Sequence, residues 1–168
     1  PGIICLSKGL TGGTLPLGVT ACSDEIYQAF NEEDKLKTFF HGHSFTANPL
    51  ACTAALASLD LLEKEECRLQ IELITKMHKA FLPQLQTLHP TPYTRNPRVL
   101  GTILAFEIDT GNSGYLNNIG REITKQALAR GVYLRPLGNT VYIMPPYCIT
   151  ESQMQKLYSV ILEIIAGL

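Results

Sequence analysis

A chain of 168 residues with 45% hydrophobic and 17% charged side chains can bury a sizeable core and has the composition of a globular protein, not a disordered one. A formal charge of −1, with no run of five basic residues, argues against electrostatic binding to nucleic acid. The cysteines at 5, 22, 52, 67 and 148 are odd in number and form no C-x-x-C, which points away from a zinc site or disulfide framework and toward free thiols in a reducing, cytoplasmic setting.

In chain order, residues 3–6 form a short apolar run bounded by turn signals, predicting a buried strand. Lys8 stands at its end and leads into Gly9-Leu10-Thr11-Gly12-Gly13. A buried strand needs neighbours on both sides, and the chain opens at Pro1 without a methionine, so it is expected to be the C-terminal part of something longer. Residues 17–22 predict a second strand, and Ser23 then caps a helix to about residue 30, with Asp24 and Glu25 in its first turn. Asn48-Pro49 is a cap followed by proline at the first helical position. It opens a helix over 50–66 whose Ala51, Ala54, Ala55 and Ala57 suit a buried or subunit-contact face.

A second helix is predicted over 68–88, with Leu69, Leu73, Met77, Ala80 and Phe81 at helical spacing. The proline-rich stretch 89–97 reads as a connection, which divides the chain into 1–88 and 89–168. Beyond it come a strand over 99–108, a loop over 109–116, a helix over 117–130 closed by Gly131, and a strand over 132–135. A turn at 136–139, a strand over 140–144 and a final helix complete the chain. Thr150-x-x-Gln153 forms a capping box for that helix, whose apolar face is Met154, Leu157, Tyr158, Ile161, Leu162, Ile165 and Leu168. The second part is thus an α+β layer with helices on a mostly antiparallel sheet.

Three groups of residues carry chemistry. Lysine is the side chain that bonds carbonyl compounds and pyridoxal phosphate through its amine when its site lowers its pKa; a surface lysine after a strand end is the plain alternative for Lys8. The four glycines between 9 and 18 fit neither common nucleotide-binding motif and serve better as a tight turn beside Lys8. His41-Gly42-His43 lacks further ligands at usable spacing for a metal, whereas Gly42, His43 and Ser44 lie just ahead of the Asn48-capped helix, where a hydroxyl and backbone N–H groups suit a phosphate oxygen. Arg135, held extended by Pro136, matches a carboxylate, unless it serves a structural ion pair. Tyr142 could reach the same cleft or simply pack in the core. No G-x-S-x-G motif supports a serine nucleophile.

Ser7-Lys8-Gly9-Leu10-Thr11-Gly12-Gly13 and His41-Gly42-His43-Ser44-Phe45-Thr46-Ala47-Asn48-Pro49-Leu50-Ala51-Cys52 resemble the two signatures of the fold-type I, class III (omega) aminotransferases, which carry pyridoxal phosphate (PLP). The resemblance covers essentially the whole chain. Arg135-Pro136-Leu137-Gly138 and Tyr142-Ile143-Met144-Pro145-Pro146-Tyr147 are most similar to one member, whose keto-acid substrate carries a carboxylate; members acting on polyamines, ornithine or 4-aminobutyrate are the alternatives.

It implies an α/β chain comprising the end of the large PLP-binding domain and the small C-terminal α+β domain. It further implies that Lys8 bonds the cofactor and carries the proton, that His43 and Ser44 contact its phosphate from a neighbouring subunit of a homodimer, and that Gly42 borders the substrate. Arg135 would hold the substrate carboxylate and Tyr142 would line its pocket. Family members also carry, upstream of the lysine, an aspartate for the pyridine nitrogen and an aromatic that stacks on the ring. Neither precedes Lys8 here, so this chain by itself is expected to have little or no aminotransferase activity; a folded, non-catalytic assembly module is the remaining alternative.

Overall fold

The computed structural model describes residues 1–87, 94–109, 111 and 118–168. It divides into two compact units, Pro1–Lys64 and Glu65–Leu168. The core of the expected connection, at 89–93, and most of the expected loop at 109–116 lie outside the described residues.

In the first unit, β1 (Ile3–Ser7) pairs antiparallel with β2 (Gly18–Cys22), from Ile3↔Cys22 to Ser7↔Gly18. Both predicted strands form, but the first is not buried. Ile3, Ile4, Leu6 and Val19 are between 43% and 54% exposed, because a two-stranded ribbon buries little unless another layer covers it. After β2, α1 (Asp24–Gln28) is shorter than the sequence predicts, and Ser23 makes no side-chain capping bond. α2 (Pro49–Leu62) is capped as expected: Asn48 Oδ1 accepts the N–H groups of Leu50 at 2.9 Å and Ala51 at 3.2 Å. α2 packs on the 3₁₀ turn Lys8–Thr11, and Thr11 and Ala51 are the buried residues of this unit.

The second unit begins with α3 (Glu65–Thr87), so this helix packs with the elements C-terminal to it and the division falls well before residue 88. A three-stranded antiparallel sheet of order β3-β4-β5 is made by β3 (Thr94–Leu100), β4 (Ile103–Ile108) and β5 (Thr140–Ile143). The single strand expected over 99–108 is instead a hairpin turned at Gly101, whose φ of +55° is the left-handed conformation that glycine tolerates. α4 (Ile119–Ala129) and α5 (Glu151–Ala166) pack against the sheet, and α5 carries the predicted capping box at Thr150 and Gln153. The strand expected over 132–135 does not form or pair with the sheet; its apolar pattern serves packing, with Leu134 4% exposed in the core.

The buried face of α3 is Ile74, His78, Phe81 and Leu85, whereas Leu69, assigned to the core by its spacing, is 52% exposed. The displaced face includes a histidine because tertiary partners satisfy both of its ring nitrogens. His78 Nε2 donates to the Thr102 carbonyl at 3.0 Å, which leaves Nδ1 to accept the Tyr158 hydroxyl at 2.8 Å. Phe81 stacks on Tyr158 with ring centroids 4.1 Å apart. Burial pushes the His78 pKa down and the Tyr158 pKa up.

The lowered His78 pKa couples stability to pH. Above the unfolded histidine pKa of about 6.5 both states are neutral; below it the unfolded chain takes up the proton first, so His78 lowers stability until the pH reaches its folded pKa. Denaturant midpoints are therefore expected to fall from pH 7 to pH 5 by more in the wild type than in His78→Gln. Parallel pH profiles would refute the buried neutral imidazole.

Candidate active site

Lys8 comes directly after β1 and opens the 3₁₀ turn with a φ of +55°. A non-glycine residue in this region costs roughly 1–2 kcal/mol, so the surrounding turn must hold it there. That turn is pinned from below. Thr11, 1% exposed, donates its hydroxyl to the Leu15 carbonyl at 2.5 Å, and Thr14 returns a bond to the Thr11 carbonyl at 2.8 Å. Gly12, with φ +59°, lies so close to α2 that a Cβ there would approach Ser58 Oγ to 3.3 Å. The turn thus presents an exposed lysine on a braced backbone, and among the described residues its amine has no ion pair or hydrogen bond.

The second predicted segment also forms a constrained turn. The His43 N–H donates to Thr46 Oγ1 at 3.1 Å, its carbonyl accepts the Thr46 N–H at 2.9 Å, and its Nδ1 accepts the Phe45 N–H at 3.1 Å. The last bond leaves His43 Nε2 as the outward-facing ring nitrogen. Ala47, another non-glycine residue with positive φ (+54°), delivers the chain to Asn48. Because Asn48 already engages Leu50 and Ala51, those helix N–H groups are not the free donors that the sequence suggests. Ser44 is: its hydroxyl and N–H make no bond among the described residues, and it is exposed. Gly42 is exposed as well, with only Thr46 Oγ1, at 3.7 Å, near the place of a Cβ.

In the second unit, Arg135 lines a groove of about 980 Å³ between α4 and residues 135–138. Gly120 allows that approach, since a Cβ there would sit 2.8 Å from the Gly138 carbonyl oxygen. Tyr142 does not line the groove with Arg135. It stands opposite Ala105 on β5, between Val141 and Ile143, which face the core; strand alternation turns it to the other face of the sheet. Sequence reasoning missed two other cations of the groove, Arg121 and Lys125. Their signal was present in the i, i+4 spacing, which puts both on one side of α4. No three His, Cys, Asp or Glu side chains gather as a metal site among the described residues. No helix of the described residues is long and apolar enough to cross a membrane.

The family description "Aminotransferase class-III" matches residues 1–165. The chain belongs to the class III aminotransferases. Among curated relatives, the Synechococcus elongatus adenosylmethionine-8-amino-7-oxononanoate aminotransferase is 44% identical over 98% of this chain. The Methanocaldococcus jannaschii protein of the same name is 37% identical over 98% of it. The crystal structure of the M. jannaschii aminotransferase superposes with a TM-score of 0.87 at 35% identity, covering 99% of this chain and 39% of that one. An amine transaminase from an uncultivated Pseudomonas species, solved in its PLP-bound form, gives a TM-score of 0.79 at 30% identity, over 99% of this chain and 38% of that one. This class III aminotransferase chain spans 38% and 36% of the length of the two curated relatives. Its mixed helix-and-sheet architecture is that of an α/β portion of these enzymes.

Proposed function

We propose that this chain supplies the cofactor-bonding lysine and the carboxylate anchor of a PLP-dependent aminotransferase that converts 8-amino-7-oxononanoate to 7,8-diaminononanoate. The amino donor is S-adenosylmethionine, and the reaction belongs to cytoplasmic biotin synthesis. The observation that carries the reading is Lys8, whose amine has no partner among the described residues, on a strained, braced turn, in a chain matched along its length by relatives named for that reaction.

The residues present fit the cofactor. Lys8 would bond it, and the unsatisfied hydroxyl and N–H of Ser44, with the outward Nε2 of His43, would hold its phosphate. In the homodimer that the family resemblance implies, those phosphate contacts come from the neighbouring subunit. Bound PLP supplies an electron sink for the substrate carbon. Lys8, once its amine is released, carries the proton at that carbon. Gly42 leaves room beside the phosphate contacts, and Arg135 offers a guanidinium to the keto acid's carboxylate; Tyr142, which lies outside the Arg135 groove, has no part in that anchor.

The test is a chimera in which this chain replaces the matching stretch of the Synechococcus relative. It is expected to form 7,8-diaminononanoate with S-adenosylmethionine, while the 168-residue chain alone shows no turnover. A chimera that binds PLP but transaminates ornithine or 4-aminobutyrate, and not the oxononanoate, would sink the substrate reading. For the chain alone, PLP followed by borohydride is expected to leave a reduced adduct, which peptide mass spectrometry maps to Lys8.

A further inference from the structure

The Arg135 groove holds a second guanidinium that the proposed reaction leaves without a task. The chain has six arginines. Arg68 pairs with Glu65 and Glu72, Arg95 with Asp109, Arg98 with Glu107 and Arg130 with Glu163. Among the described residues, Arg121 and Arg135 have no acidic partner, and both line this groove. Lys125 adds a third cation. Glu122 is the one acid in the lining, and its carboxylate already accepts the Gln126 amide at 3.0 Å.

Ile123 and Ala127, at 2% and 0% exposure, anchor α4 in the core and so fix which of its residues meet the groove. Arg121 and Lys125 are like charges one helical turn apart, a repulsion that an anion in the groove would relieve. The walls beside these cations are apolar: Leu128 is 54% and Leu137 55% exposed. Cations beside exposed aliphatic side chains match a ligand with a charged end and a hydrocarbon body.

We infer that this groove takes the terminal carboxylate of an aliphatic chain with two guanidinium groups, Arg121 as well as Arg135, while the hydrocarbon lies along Leu128 and Leu137. The inference rests on the reading of Arg135 as the carboxylate anchor and makes Arg121 a second specificity-determining residue of the same subsite. A neutral aliphatic amine or amide would leave both guanidinium groups unpaired and bind more weakly.

The test is a titration of the 168-residue chain with nonanoate, monitored through the backbone amide resonances of residues 118–138. Nonanamide serves as the uncharged probe and inorganic phosphate as the anion without a tail. Nonanoate is expected to bind saturably and nonanamide at least about tenfold more weakly, in keeping with the loss of charge-assisted hydrogen bonds. Arg121→Gln and Arg135→Gln should each weaken nonanoate by about tenfold. Arg121→Lys should recover only part of the loss, because an ammonium lacks the planar fork, and Lys76→Gln, at an exposed position on α3, should change nothing.

Unchanged nonanoate affinity in a folded Arg121→Gln chain would overturn the inference. So would no binding to the wild type, equal affinity for nonanamide, or phosphate binding as tight as nonanoate, which would mark an unselective anion site. Nonanoate carries neither amine nor ketone and needs no cofactor. Binding through both arginines alongside a chimera that fails on the oxononanoate would therefore refute the reaction and leave the subsite standing. The converse result would refute the role of Arg121 alone.

Discussion

Lys8→Ala is expected to remove the borohydride-stable PLP adduct from the chain and to lower transamination by the chimera about ten-thousand-fold or more, since the same amine serves as covalent attachment and proton carrier. The turn itself offers no replacement, for it contributes glycines, Leu10 and threonines and no second amine. Lys8→Arg should fail almost as completely, because a guanidinium stays protonated and cannot act as the nucleophile. Lys8→Gly adds a test of the backbone. At φ +55° glycine relieves the left-handed strain, so this variant should be more stable by about 1 kcal/mol in denaturant melts while losing all adduct formation. Gain of stability with loss of chemistry is the expected signature of a residue held in a costly conformation for its side chain. An adduct of undiminished yield on Lys8→Ala, borne by another lysine, would assign the chemistry elsewhere. Equal stability of Lys8→Gly and wild type would show that the turn stores no strain at this residue.

The contrast between Lys8 and His78 shows what could be read in advance. Lys8 could be found because its signal is local: an apolar run, a lysine, then a glycine-rich turn. The Asn48 cap and the Thr150–Gln153 capping box are local too, each a side chain answering backbone groups within three residues, and both form as the sequence predicts. His78 is the opposite case. Its two partners, Thr102 and Tyr158, are 24 and 80 residues away along the chain, so periodicity passed over it and placed the α3 face on Leu69, Leu73, Met77, Ala80 and Phe81, of which Phe81 is buried. The hairpin at Gly101 was missed because Val99 and Leu100 on one side and Ile103 and Leu104 on the other make one apolar run, and only the positive φ of the glycine breaks it. Arg121 escaped notice because surface arginines on amphipathic helices are ordinary; it stands out only once Arg68, Arg95, Arg98 and Arg130 are seen to be paired and Arg135 is found in the same groove.

The two units also differ in how far their own side chains explain them. The second encloses a core drawn from α3, α4, α5, alternate residues of the central strand (Leu104, Phe106 and Ile108) and Val141 and Ile143 of β5, so its groove residues sit on elements held in place from behind. The first buries only Thr11 and Ala51 among its described residues, and Phe39, Phe40, Phe45 and Leu50 are 63–78% exposed. Exposed apolar surface on that scale marks an interaction face. It suits the proposal that Gly42, His43 and Ser44 do their work across a subunit boundary. The lysine turn is braced by local bonds and by α2, which is why its strained backbone is defined even in a unit with so little core.

Phe81→Ala is expected to cost about 3–5 kcal/mol, the range for deleting a large aromatic from a close-packed interior. Phe81 is 1% exposed, and its ring lies 4.1 Å from that of Tyr158 at an interplanar angle of 13°. Truncation removes the buried area, opens a cavity beside Ile74 and Leu85, and leaves Tyr158 without the ring that helps to hold its hydroxyl toward His78. A domain of this size is stable by roughly 5–15 kcal/mol, so the loss takes a large share of the total. Leu69→Ala, on the same helix but at 52% exposure, should stay within about 0.5 kcal/mol of wild type. The pair separates two rotations of α3, since spacing alone puts both residues in the core, whereas the structure buries one and leaves the other in solvent. Urea unfolding of the two variants decides it. Comparable losses would mean that α3 is rotated toward Leu69, and the His78–Tyr158 contact and its pH dependence would fall with that result. A large loss confined to Phe81→Ala would establish the face on which the second unit is built, and with it the position of α4, which carries Arg121 to the groove.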